Sequence, residues 1–140
     1  MTRRISVVIP ILALFSFALF ACAFLSPAEQ DLVVKIAARR LAAQGVKLFP
    51  DTFRDLGKTA RGACDKPGET LTPAQALELI AQAVGLQLGD PLLAADLKDL
   101  VVLLGIRFDA AFKLIGVTQD QERLIKLAVC SFAEGVNLYP

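Results

Sequence analysis

Residues 72–91 read TPAQALELIAQAVGLQLGDP, and this stretch decides the fold class. Thr72 supplies an N-cap hydroxyl, Pro73 suits the first helical position, and Gln75 stands three residues after the cap, as in a capping box. Four apolar residues then follow at the spacings of one helix face: Leu77, Ile80, Val84 and Leu88. Gly89 is placed to end the helix. The stretch predicts an amphipathic helix over about 73–88.

The same helix-start pattern occurs twice more. Ser26-Pro27-Ala28-Glu29 repeats it in full, and Thr118-Gln119-Asp120-Gln121 repeats it without the proline. They predict helices over about 27–44, closed by Gly45, and about 119–137. Asp90-Pro91 begins a further helix that Gly105 is placed to end. Shorter helical stretches are predicted near 51–62 and near 107–115, the latter with Phe108, Phe112 and Ile115.

Apolar periodicity predicts which helix faces are buried. In the first helix these residues are Val33, Ile36, Ala37 and Leu41. In the last helix they are Ile125, Ala128, Phe132 and Val136. Residues 92–104 are apolar nearly all round, which predicts a central helix. Residues 101–108 look strand-like, but one such run cannot form a sheet, so we predict an all-α bundle of about five helices.

The beginning of the chain has the pattern of an export signal. Arg3 and Arg4 precede an apolar stretch, Ile5–Ala21, as in secretory leaders. We therefore divide the chain into a signal peptide or membrane anchor (1–23) and a helical domain (24–140). Cleavage by ordinary signal peptidase would leave Phe24 as the first residue. An uncleaved leader would remain as an inner-membrane anchor.

Residues Leu19-Phe20-Ala21-Cys22 resemble the lipobox of bacterial lipoproteins. This resemblance implies that Cys22 is lipidated and becomes the new N-terminus, which is the outcome we favour. The layout of the chain resembles that of the short lipoproteins that phages and prophages encode, with a short leader, a lipobox-like cysteine and a small helical domain. This similarity implies a structural or interaction role at the bacterial cell envelope or in the periplasm.

Three cysteines occur in the chain, and Cys22 belongs to the leader. In an oxidising compartment the remaining pair, Cys64 and Cys130, is expected to form a disulfide. Such a cross-link would add about 4 kcal/mol of stability on the chain-entropy estimate. The alternative is two unpaired thiols that lie far apart.

Charge is balanced overall and unevenly distributed. Without Arg3 and Arg4 the 15 basic residues become 13, against 14 acidic ones, so bulk charge gives no case for a nucleic-acid partner. Residues 35–66 contain eight basic and three acidic residues, whereas 67–140 contain five and nine. The basic segment could rest on anionic head groups. The simpler interpretation is that opposite charges neutralise each other across the fold or lie solvated.

The residue types present argue against an enzyme and against any cofactor. The chain has no histidine, which removes the commonest general base and imidazole metal ligand, and it has no tryptophan. Asp96 and Asp99, with Asp90 nearby, could form an acid/base pair or bind a cation, but we expect them to be the solvated stripe of an apolar helix. The polar loop 64–70 is a candidate contact site or simply a linker.

These observations predict a non-enzymatic envelope protein, membrane-tethered or periplasmic. Its expected partners are the membrane and another envelope or phage protein, with no nucleic acid, and no small-molecule substrate is indicated. The alternative is a lipid-binding or membrane-active protein, in which the apolar residues between 86 and 115, Phe108 and Phe112 among them, line an acyl pocket or face a bilayer.

Overall fold

Five α-helices lie in the part of the chain that the computed structural model describes, residues 26–66, 69 and 71–138. They are α1 (Pro27–Leu48), α2 (Pro50–Asp65), α3 (Pro73–Gln82), α4 (Pro91–Leu104) and α5 (Gln119–Leu138). A π-helical turn, Ala83–Leu88, continues α3, and two short strands, β1 (Arg107–Phe108) and β2 (Leu114–Ile115), separate α4 from α5. The predicted helical bundle of about five helices is confirmed. The predicted leader lies outside the described residues.

All three predicted capping boxes form. The amides of Glu29, Gln75 and Gln121 donate to the hydroxyls of Ser26, Thr72 and Thr118 at 3.3, 3.2 and 3.3 Å. In return, the side chains of the same three residues accept from the backbone amides of the caps at 3.4, 3.0 and 2.9 Å. Asp90 Oδ1 caps α4 by accepting from the amides of Leu92 and Leu93 at 2.9 and 3.1 Å. Each cap satisfies donors that a helix start leaves unpaired.

Glycines end two helical segments where the sequence predicts it. Gly89, after the π-helical turn, has a φ of 62°, and Gly105, after α4, has a φ of 64°. Both lie in the left-handed region that glycine adopts without steric cost. The Gly105 carbonyl oxygen also accepts from Gln121 Nε2 at 2.7 Å, which links the end of α4 to the start of α5.

The central helix is α5, and the prediction that residues 92–104 take this place is wrong. Helix α5 packs against α2 and α3 and makes smaller contacts with α4. Its predicted inward residues Ile125, Ala128, Phe132 and Val136 are all buried. Helix α4 buries one side and leaves Leu92 and Val102 65 % and 71 % exposed. Helix α4 has apolar residues on nearly every side, but only one side contacts the rest of the bundle. It therefore does not lie at the centre.

Helix α1 buries a face of smaller residues than the sequence predicts. Leu41 is buried as expected and Val33 and Ala37 are half-buried, but Ile36 is 56 % exposed. The buried residues are Val34, Ala38, Leu41, Ala42, Gly45 and Val46. This face meets α5 at Gly135, where an added Cβ would lie 2.9 Å from the Cβ of Ala42. Small residues on both helices permit this close approach, whereas a side chain as large as that of Ile36 at this contact would keep the helices further apart.

Gly45 does not end the first helix as predicted. Helix α1 continues to Leu48, and Gly45 is buried against the ring of Phe53 from α2, where a side chain would collide with the ring. The Phe53 ring in turn packs on Phe132 of α5, with the ring centroids 5.8 Å apart. Gly45 therefore serves the packing of three helices and not the termination of one.

Residues 107–115 form a small hairpin, and the predicted short helix there is wrong. Strands β1 and β2 pair antiparallel, with Arg107 opposite Ile115 and Phe108 opposite Leu114. Asp109 Oδ1 accepts from the amides of Ala111 and Lys113, each at 2.9 Å, and so closes the turn. An aspartate that binds amides two and four residues ahead favours a turn over a helix.

Candidate functional site

The disulfide predicted from the cysteine count is present and joins α2 to α5. Cys64 and Cys130 have Cα atoms 5.5 Å apart and are both half-buried. The two helices also approach closely at Gly57, where an added Cβ would lie 2.6 Å from Val136. The cross-link therefore secures a helix pair that is already closely packed.

A surface depression of about 220 Å³ lies beside the disulfide. Its lining contains both cysteines and charged residues of either sign: Arg61, Cys64, Asp65, Cys130, Ala133 and Glu134. The Glu134 carboxylate is already engaged, since its Oε2 accepts from Arg39 Nη2 of α1 at 2.7 Å. With mixed charges at its edge, the depression has no clear selectivity for an anion or a cation.

The aspartates around α4 have separate structural roles. Asp90 is the N-cap of α4, while the Asp96 side chain, 11 % exposed, lies 3.6 Å from Arg40 Nε of α1. Asp99 is exposed. Within the described residues, no group of three or more His, Cys, Asp or Glu side chains is placed to hold a metal ion.

Two predicted features lie partly or wholly outside the described residues. In the loop 64–70, Pro67, Gly68 and Thr70 are not described, and Lys66 and Glu69 form an exposed ion pair at 4.0 Å. Cys22, the predicted lipidation site, is also outside. Among the described helices, none combines the length and the hydropathy of a membrane span.

Phe108 and Phe112 pack on each other. Their ring centroids lie 5.9 Å apart, and the Phe112 ring also lies against Gly85 of the π-helical turn. Four apolar side chains from the same part of the chain are exposed by 60, 65, 71 and 54 %: Leu86, Leu92, Val102 and Ile115.

Two clefts lie between helices, at places that the sequence does not predict. One, of about 370 Å³, lies between the start of α3 and α5 and is lined by Thr72, Pro73, Ala74, Glu122, Ile125 and Lys126. The other, of about 270 Å³, lies between α2 and the segment formed by α3 and the π-helical turn. Its lining includes Thr52, Leu56, Thr59, Leu79, Gln82 and Gln87. Each cleft is formed by segments that are far apart in the sequence, so the spacing of residues along one helix does not predict it.

Comparison of the chain with protein-family models, curated proteins and solved structures finds no match.

Proposed function

We propose that this chain is a non-enzymatic helical interaction module of the bacterial cell envelope, tethered to the membrane through Cys22. The observation that carries the proposal is the disulfide between Cys64 and Cys130. Disulfides persist in oxidising compartments and are rare in the reducing cytosol. A cross-linked domain behind an export-type leader is therefore suited to the outside of the inner membrane.

The pairing of the cysteines also supports Cys22 as the site of lipidation. Because Cys64 and Cys130 are bonded to each other, neither requires the leader cysteine as a partner. The lipobox-like residues 19–22 then give that third cysteine a role of its own. The domain would be held at the membrane surface with its helices available to another envelope or phage protein.

The test is the intact mass of the protein expressed in bacteria and recovered from the membrane fraction, before and after reduction and alkylation. We expect a chain that begins at Cys22 with added acyl mass and gains two alkylation sites only on reduction. The variant Cys22→Ala should lose the acyl mass and keep the disulfide. A soluble chain beginning near Phe24 would contradict the tether, and an uncut chain with free thiols would contradict export as well.

A lipid-binding or membrane-active protein is the second candidate. The exposure of Leu86, Leu92, Val102 and Ile115 favours it, since exposed apolar side chains gain by contact with a bilayer or acyl chain. Leakage of dye from vesicles, or a lipid retained in native mass spectra, would support this function. A double variant, Leu92→Ser with Val102→Ser, should then reduce the leakage, whereas absence of both leakage and bound lipid would contradict it.

A further inference from the structure

The outer face of α1 combines apolar and basic side chains close to the proposed tether. We define this face by Leu32, Ile36, Arg40 and Lys47, which lie on the side of α1 away from its buried residues. Leu32 and Ile36 are one helical turn apart and are 57 % and 56 % exposed. They follow one another along the surface because residues four apart share a helix face.

The basic residues of this face remain available to an anionic partner. Arg40 keeps 70 % of its side chain exposed, although its Nε lies 3.6 Å from an Asp96 carboxylate that is itself only 11 % exposed. The guanidinium is therefore paired with a mostly buried carboxylate while most of its own surface stays open to solvent. Lys47 is also exposed, and among the described residues it makes no ion pair. Arg40 and Lys47 therefore place two positive charges beside the apolar pair, against one exposed acidic residue on the same side of α1, Glu29.

The chain length between Cys22 and α1 limits how far this face can lie from the membrane. Four residues lie between Cys22 and Pro27, so five Cα-to-Cα steps separate them, a reach of at most about 18 Å even when fully extended. Leu32 follows after about 7.5 Å of helix. A lipid on Cys22 would therefore keep Leu32 within roughly 25 Å of the bilayer surface.

We infer that the outer face of α1 rests on an anionic bilayer, with Leu32 and Ile36 at the level of the head groups and Arg40 and Lys47 against lipid phosphates. The inference rests on the proposed tether and adds the orientation of the domain: the side of the bundle away from α1 is left facing a partner. At an anionic bilayer the basic side chains gain by contact with lipid phosphates, and the apolar side chains gain by burial at the level of the head groups.

The absence of tryptophan from the chain allows single-tryptophan probes. The full chain would carry either Ile36→Trp or, as the matched control on α4, Val102→Trp, where Val102 is 71 % exposed. Each would be reconstituted in vesicles of phosphatidylethanolamine and phosphatidylglycerol that contain brominated lipid. We expect a blue shift and quenching for Ile36→Trp and neither for Val102→Trp. Neutral phosphatidylcholine vesicles, or Arg40→Gln with Lys47→Gln, should reduce the quenching.

The possible failures are distinguishable. A chain that does not float with the vesicles overturns the tether and this inference together. A chain that floats, but in which the two probes are quenched alike or not at all, overturns only the orientation and leaves the tether standing. A blue shift of Ile36→Trp without quenching also overturns the inference, because the side chain is then covered by protein. Equal quenching in neutral and anionic vesicles overturns the role of the basic residues.

Discussion

The ring of Phe112 lies against Gly85, at a point where a Cβ atom would collide with it. Phe112 has a φ of 58°, in the left-handed region that a residue with a side chain seldom adopts. Contacts from α3 hold the loop in this conformation. Gln82 Nε2 donates to the Ala111 carbonyl oxygen at 3.2 Å, and the Leu114 amide donates to Glu78 Oε2 at 3.2 Å.

Gly85→Ala should destabilise the protein, by about 1–3 kcal/mol, because the methyl group forces the Phe112 ring out of its place. Urea unfolding measures the change. The matched control is the same substitution in a Phe112→Ala background, where the space is open and alanine should be neutral or stabilising, as it is in most helix interiors. An equal loss in both backgrounds would show that the ring is not the cause.

Cys64→Ser should lower the free energy of unfolding by about 4 kcal/mol under non-reducing conditions, since the loop of 66 residues is no longer closed in the unfolded chain. Thermal unfolding followed by circular dichroism measures the effect. Cys22→Ser is the control and should leave the melting temperature unchanged. If Cys64→Ser also leaves it unchanged, the disulfide does not stabilise the domain.

Gly135→Ala should destabilise the contact of α1 with α5. An added Cβ would lie 2.9 Å from the Ala42 Cβ and 3.0 Å from the Arg39 Cα, and backbone cannot give way as a flexible side chain does. We expect a loss of about 1–3 kcal/mol in chemical denaturation. Lys126→Ala, exposed on the same helix, should change stability by less than about 0.5 kcal/mol. Similar effects of the two substitutions would refute the close approach.

Thr72→Ala should cost about 1 kcal/mol, because the Gln75 amide loses its acceptor at the start of α3. Thr72→Ser keeps a hydroxyl and should restore most of the loss. Equilibrium unfolding of the three proteins checks this. If serine is no better than alanine, then the hydroxyl does not contribute as a cap.

The sequence by itself determined the starts of four helices, two of the helix ends and the disulfide. A capping box joins atoms three residues apart, so Thr72 and Gln75 specify it without reference to the rest of the fold. Gly89 and Gly105 end helices through their own backbone conformation. Cys64 and Cys130 were paired because they are the two cysteines of the domain, although nothing in the sequence placed them on adjacent helices.

Only the tertiary structure decided which faces and segments meet. Ile36 fits the apolar periodicity of α1 but is exposed. The side of α1 that meets α5 carries Ala42 instead, because the close approach to Gly135 leaves no space for a larger side chain. The sequence around Gly45 predicts a helix end, but Gly45 lies inside α1 and packs against the Phe53 ring. The clefts between helices, the position of α5 at the centre and the docking of Phe112 on Gly85 likewise depend on partners distant in sequence. Local patterns fix hydrogen bonds and backbone angles within a few residues, whereas burial depends on the shape of whatever segment arrives from elsewhere.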